Sequence, residues 1–413
     1  MKRLLVYSHD TFGLGNLRRM VGICGHLIDN IHDLSILMVT GSPMIQAFRL
    51  RERLDYIKLP CLSRTAGNEY SVKSLGTDID ETIRLRADLT FSAYRSFKPD
   101  VVLIDKKPYG VSNELKPLIG AMKARGSARC ALILRDILDS PEATTAVWRA
   151  NGYYEAANRL YDLVLVLGIP QLFDVRREYN FPDRLAEKTR FCGYIRQENG
   201  RRKAQQVRDD LGLGEREKLV LVTAGGGEDG FRLLSTYIAG AKTVAPPQRP
   251  RSLIISGPEL PSRAREFLVH ECAGDSHIRI LEFTDDLMSY LTAADLIVSM
   301  GGYNTVCEIL SAGRRAIVVP RSKPVEEQLI RAERMARLGL FRYLHPDDLT
   351  PSLLMETVQN ELRARVSMGP AEPIDLDGLQ RVTSFVTTLL ADRPTQEPAA
   401  LAKPESAVAR ISL

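Results

Sequence analysis

Short apolar runs of four to seven residues alternate with amphipathic stretches along most of this chain, and the alternation begins twice. In the first half, residues 4–7, 34–40, 101–104, 131–134 and 163–167 are almost wholly apolar. Runs that short read as strands buried on both faces, which is the habit of parallel sheets. Between them, residues 17–30 and 78–97 carry helical spacing. The first half closes on Phe191-Cys192-Gly193-Tyr194-Ile195-Arg196, and a polar, charged segment follows from 197 to 217. The pattern then restarts, with strands predicted at 219–223, 251–256, 278–282, 296–299 and 316–319 and a helix at 231–244. Strand–helix alternation of this kind predicts an α/β fold built from two Rossmann-like, doubly wound domains. The expected domains are 1–196 and 197–375. A terminal helix at 376–391 is expected to pack back on the first domain, and the Pro-, Ala- and Glu-rich tail at 392–413 is expected to be disordered.

Composition narrows the partners. A length of 413 residues favours two domains, and 44% hydrophobic with 26% charged residues is ordinary for a globular protein. A formal net charge of +5 permits an anionic ligand such as a nucleotide diphosphate. It does not demand nucleic acid, and no dense Lys/Arg stripe interleaved with aromatics occurs; Arg201-Arg202-Lys203 reads as a solvated face. The six cysteines are scattered without a Cys-x-x-Cys pair, as free thiols in a reducing cytosol would be. The six histidines are not paired at ligand spacing, and no metal is expected. The first apolar run is too short for a signal peptide, and no run reaches membrane-spanning length. A cytoplasmic protein is expected, with contact at a membrane surface left open.

Three glycine-rich turns follow predicted strands. The most informative is Met300-Gly301-Gly302-Tyr303-Asn304-Thr305, which opens a helix carrying Glu308 about one turn in. A strand and Glu327-Gln328-Leu329-Ile330-Arg331-Ala332 come next. Glycines let a ligand approach the backbone, and the helix N-terminus attracts phosphate. Glu308 is placed to take a ribose or sugar hydroxyl pair. Gly225-Gly226-Gly227 makes poor helix and poor strand and suits a nest of N–H groups for an anion. Phe283-Thr284 could hold a flat base, although a core Phe beside an Asp helix cap accounts for it better in isolation.

The third turn runs from Ser8 to Arg19 and contains Gly13, Gly15 and Asn16. It is half of a dinucleotide fingerprint, because Arg18 stands where the third glycine belongs; a plain structural turn explains it equally well. Acids and bases follow several first-half strands. Asp105 is read as pairing with an adjacent lysine and Asp136 with Arg135. His9 and Asp10 adjoin the glycine turn and rank first as a general base. Asp78 and Asp80 have the form of a metal pair but read better as a helix cap. Ile79, Ile83, Phe91, Tyr94 and Phe97 fit a core face at least as well as a membrane-facing patch.

These motifs, in this order, resemble the GT-B glycosyltransferases of family 28, the MurG-like group, and above all its predicted-glycosyltransferase branch. The resemblance is strongest over residues 220–340. It implies two Rossmann-like domains facing a cleft, with a nucleotide-sugar donor on the second domain and an acceptor on the first. It implies Glu308 on the ribose hydroxyls of a UDP-type donor, and Phe283 and the Thr284 backbone on uracil. Gly225, Gly226 and Gly227 would line the diphosphate, with Gly301, Gly302, Asn304 and Thr305 alongside. Arg196 matches a basic residue near the nucleotide, and Glu327 and Gln328 match donor-sugar contacts. Gly13, Gly15 and Asn16 would close the site from the first domain. One departure matters: relatives often carry His where Asn16 stands, and a neutral amide cannot serve as a general base. The expected reaction is inverting transfer to an acceptor hydroxyl, small or lipid-linked, with His9 or Asp10 as base. No metal or cofactor is implied. A UDP-sugar hydrolase or epimerase of the same fold, or a non-catalytic nucleotide-sugar binder, would use the same donor motifs.

Overall fold

A computed structural model of the chain describes residues 1–9, 14–64, 69–126, 128–364 and 373–391. The first half contains β1 (Lys2–Tyr7), β2 (Leu34–Thr40), β3 (Leu54–Lys58), a two-stranded antiparallel ribbon of β4 (Leu62–Arg64) and β5 (Tyr70–Val72), and then β6 (Val101–Asp105), β7 (Arg129–Arg135), β8 (Leu163–Leu167) and β9 (Thr189–Phe191). Its main sheet is parallel throughout, in the order β3-β2-β1-β6-β7-β8-β9. The second half contains β10 (Leu219–Thr223), β11 (Arg251–Ile255), β12 (Ile278–Leu281), β13 (Leu296–Ser299), β14 (Ala316–Val318) and β15 (Arg342–Tyr343). They form a second parallel sheet in the order β12-β11-β10-β13-β14-β15. In both sheets the strand order reverses beside the first strand, and ligands bind beyond the strand ends at that point.

Central strands explain why the sequence shows this so plainly. All five residues of β6 and all five of β10 are buried, so helices cover both faces and the runs are apolar up to their last residues, Asp105 and Thr223. The strands that the apolar pattern misses are short or edge elements. β3 buries only Leu54 fully, β9 has three residues and β15 has two. The polar segment after 196 is not a bare linker. It holds the helix Ala204–Asp210, whose Arg208 donates to Asp295 at 3.1 Å and to the Ala293 carbonyl at 3.2 Å. Asp78 caps the helix Ile79–Phe97 by accepting from the Asp80 and Glu81 N–H groups. On that helix Tyr94 joins the core with Phe91 and Phe97 against it, while Leu85 and Leu89 are exposed.

The chain crosses between the halves twice, side by side. Tyr194 N–H donates to the Asp375 carbonyl at 2.9 Å, Arg196 N–H to that of Leu376 at 3.1 Å, and Gly378 N–H back to Tyr194 at 2.9 Å. The helix Gly378–Ala391 then lies against the helix Leu14–Asn30, where His26 Nδ1 and Thr383 Oγ1 are 2.9 Å apart. Val382, Val386 and Leu390 are buried there in the same cluster as Leu17 and Met20.

A buried ion pair fixes one half against the other. Arg331, on the helix Glu327–Arg337, reaches Asp136 after β7 with Nε at 2.7 Å and Nη2 at 2.8 Å. The two side chains are 0% and 2% exposed. Tyr194 also donates to Asp136, at 2.8 Å, and Arg331 to Glu327, at 3.0 Å. Asp136 therefore does not pair with Arg135; that arginine goes to Glu327 at 3.1 Å. Asp105 likewise pairs with Arg19, at 2.8 Å, rather than with a neighbouring lysine. Extended neighbours point to opposite sides of the chain, so sequence adjacency is a poor guide to pairing at strand ends.

Removing one member of a buried pair strands the other, at a cost of about 3–5 kcal/mol. D136N and R331M should each lower the thermal midpoint by roughly 10 °C. The double variant should cost clearly less than the sum of the singles, because neither charge is then left alone. Strict additivity in a thermal melt would contradict this account of the interface.

Candidate active site

The two halves enclose a cleft of about 620 Å³ at the carboxyl ends of both sheets. The first half contributes Gly15, Asn16, Arg18, Arg19, Arg49 and Arg135. The second contributes Gly225–Asp229 (residues 225–229), Glu259, Phe283, Thr284, residues 300–305, Glu308, Arg321, Glu327 and Gln328. Two of the described sequence-derived residues, His9 and Arg196, are not brought to it. Asp10 and Gly13 lie outside the described residues. Arg196 is exposed and absent from the cleft wall, because its position is spent on the backbone crossing to Leu376. His9 is buried at the end of β1 and does not line the cleft; its ring Nε2 stands 3.4 Å from the Tyr70 hydroxyl.

Backbone geometry explains the glycines. Gly301 has φ 70°, and a Cβ there would fall 2.5 Å from Val318 Cγ1. Gly227 has φ 100°, and its Cβ would meet the Ser256 carbonyl oxygen at 2.4 Å. Only glycine tolerates both the left-handed backbone and the contact. The helix Tyr303–Ala312 that follows starts at Gly302 with no side-chain cap. Its first-turn N–H groups are therefore left for water or an anion. Phe283 is 57% exposed at the cleft, an unusual place for a large aromatic, and so is not a core residue.

Charged groups divide into committed and uncommitted. Glu327 touches three arginines: Arg331 at 3.0 Å, Arg135 at 3.1 Å and Arg321 at 3.6 Å. Burial pushes its carboxyl up, but Arg135, Arg331 and Arg321 together hold it down to about 2. Its first task is to fix those arginines, a role the sequence reading missed although the i,i+4 spacing of Glu327 and Arg331 signals it. Arg321 also holds Asp229 at 2.6 Å, and its N–H donates to Gln328 Oε1 at 3.4 Å. Asn16 donates to the His9 carbonyl at 2.8 Å, so its amide closes the turn.

Glu308 is the opposite case. It is 1% exposed, neither carboxylate oxygen receives a hydrogen bond among the described residues, and burial pushes its carboxyl up, with Arg18 pulling part of the way back. Other buried polar atoms without hydrogen bonds also belong to the cleft wall: Nε of Arg19, Arg135 and Arg321 and the Tyr303 hydroxyl. Groups left unsatisfied in one cavity are what a polar ligand would complete.

Two parallel Rossmann-like sheets facing a shared cleft define the GT-B fold. Solved GT-B enzymes superpose over nearly the whole chain. Acinetobacter baumannii MurG does so with TM-score 0.60 at 13% identity, covering 94% of this chain and 100% of its own. A putative UDP-N-acetylglucosamine 2-epimerase from Listeria monocytogenes gives 0.65 at 11%, covering 95% and 98%. At such identities the likeness is one of fold. The family signal comes from sequence: residues 219–373 match the glycosyltransferase family 28 C-terminal domain. An uncharacterized glycosyltransferase of Methanopyrus kandleri is 24% identical over 57% of this chain and 63% of its own length. The Burkholderia vietnamiensis UDP-N-acetylglucosamine–N-acetylmuramyl-(pentapeptide) pyrophosphoryl-undecaprenol N-acetylglucosamine transferase is 29% identical over 50% and 58%. The match thus spans about three fifths of each relative.

Two expectations follow. E308Q removes a buried, poorly satisfied charge and should leave the thermal midpoint unchanged or raised; a clearly lower midpoint would mean that Glu308 serves the fold. For Glu327 the folded pKa lies below the ordinary value of about 4.3. Its stabilisation is therefore present above that value and lost as pH falls toward 2. Denaturant melts of the wild type should weaken between about pH 5 and 2 more steeply than those of E327Q, and parallel slopes would contradict the assignment.

Proposed function

We propose that this chain transfers a sugar from a nucleotide-sugar donor, of UDP type, to an acceptor hydroxyl with inversion and without a metal. The observation that carries the reading is Glu308, a buried carboxylate whose one close polar partner among the described residues is Arg18, set one turn inside a helix without a side-chain cap that opens on Gly301-Gly302. It is the partner a ribose diol needs, next to the partner a diphosphate needs. Phe283 offers an exposed ring for the base. The family 28 match over 219–373 and the donor printed in the Burkholderia relative's name support the same choice.

The donor diphosphate lies against the N–H groups of residues 301–305 and the nest at Gly225-Gly226-Gly227. Arg321 and Arg135, held by Glu327, face the same space and carry fixed positive charge toward the leaving group. Preorganised donors of this kind stabilise charge as it develops. The acceptor approaches from the first sheet, and Asp10, rather than His9 turned to Tyr70 off the cleft wall, takes the hydroxyl proton. Exposed Leu85 and Leu89 support a lipid-linked acceptor met at a membrane surface. No helix among the described residues is long and apolar enough to cross a membrane.

A thermal-shift screen of UDP-sugars should find a donor that raises the midpoint with concentration, as ligand linkage requires. With that donor and an accepted hydroxyl, UDP release should depend on acceptor and persist in EDTA. Release without acceptor points to a hydrolase, and an altered sugar without release to an epimerase; either overturns transfer. D10N should lower turnover roughly 100-fold or more at unchanged donor affinity, as loss of a general base does.

A further inference from the structure

The residue that meets Glu308 comes from the other half of the molecule. Arg18 lies on the helix Leu14–Asn30, and its Nη1 stands 2.6 Å from Glu308 Oε1. The carboxylate is 1% exposed and the guanidinium side chain 44% exposed. Both line the cleft. The contact is an ion pair, and among the described residues no other group reaches either oxygen.

The backbones that carry the two side chains are themselves tied together. Asn304 Nδ2 donates to the Gly15 carbonyl at 2.9 Å, and a Cβ on Gly15 would lie 3.7 Å from that nitrogen. The start of one helix thus abuts the first turn of the other. Arg18 projects one turn further along its helix and Glu308 one turn further along its own. Their meeting is set by this abutment and by the Asp136–Arg331 pair, not by a free surface side chain finding a partner.

We infer that Arg18 is a positioning and specificity-determining residue of the donor site: it anchors the Glu308 carboxylate in the orientation that accepts the ribose 2′- and 3′-hydroxyls. The inference rests on the nucleotide-donor reading above. A carboxylate offers about four acceptor positions. Arg18 takes one side of one oxygen, and two hydroxyl donors can use the remainder. A buried carboxylate without a counter-charge would be costly to keep and free to turn. Recognition of the nucleotide by the second half is therefore completed by a cation from the first, and donor affinity becomes sensitive to how the halves sit.

Isothermal titration of the full chain with UDP and with 2′-deoxy-UDP tests this. The wild type should prefer UDP by about tenfold or more, the worth of a hydrogen bond to a charged group. R18M should lose about tenfold in UDP affinity and shrink the preference over the deoxy nucleotide to about threefold or less. R18K, which keeps the charge, should restore most of both. R18Q reads the same loss if R18M does not fold. A neutral variant with unchanged affinity and unchanged preference overturns the role. So does one that binds UDP more tightly, which would make Arg18 a plug that the ligand must expel. A wild type that binds no UDP overturns the donor reading itself, and this inference with it.

Discussion

Everything in the cleft depends on one buried contact, the two-pronged pairing of Arg331 with Asp136. Each charge is worth having only because the other is there; alone, either would be expelled toward water or neutralised. Since the partners belong to different halves of the chain, the pairing holds the two walls of the cleft together. Glu327 extends it to Arg135 and Arg321, and Tyr194 extends it to the crossing strands. The arginines that face the proposed diphosphate, Arg135 and Arg321, are thus held by Glu327 and need little reorganisation when a ligand arrives.

Against this satisfied network stands a set of groups that the fold leaves wanting. Glu308 has neither oxygen hydrogen-bonded, the helix behind it has no cap, and Phe283 shows a ring to solvent. Each costs stability in the unliganded protein. These groups meet in one cavity, where a single polar ligand could complete them. Arg18 offsets part of the cost at Glu308 from across the cleft.

The sequence made the architecture legible because central parallel strands are buried on both faces, so β6 and β10 read as uninterrupted apolar runs. Edge strands such as β3 and β15 lack that signal, and the pattern passed over them. The glycine turns were legible for a similar reason: Gly227 and Gly301 occupy backbone that other residues avoid. What the sequence hid was pairing across long separations. Asp136 and Arg331 are 195 residues apart, and Arg135, the obvious neighbour, goes elsewhere. Phe283 looked like core because exposure is not written in one aromatic. Arg196 looked like a ligand group because a motif fixes a chain position, not where its side chain ends. Asn16, where the resemblance led one to expect His, closes the turn through the His9 carbonyl.

The account's central claim is that one nucleotide fills a site built by both halves. The most direct measurement is a crystal structure of the chain soaked with UDP. The account predicts the ribose hydroxyls on Glu308, with Arg18 still touching that carboxylate. It places the diphosphate at the Gly301-Gly302 turn and the base on Phe283. A nucleotide bound elsewhere, or one held in this cleft with Arg18 driven out and Glu308 unused, would contradict it.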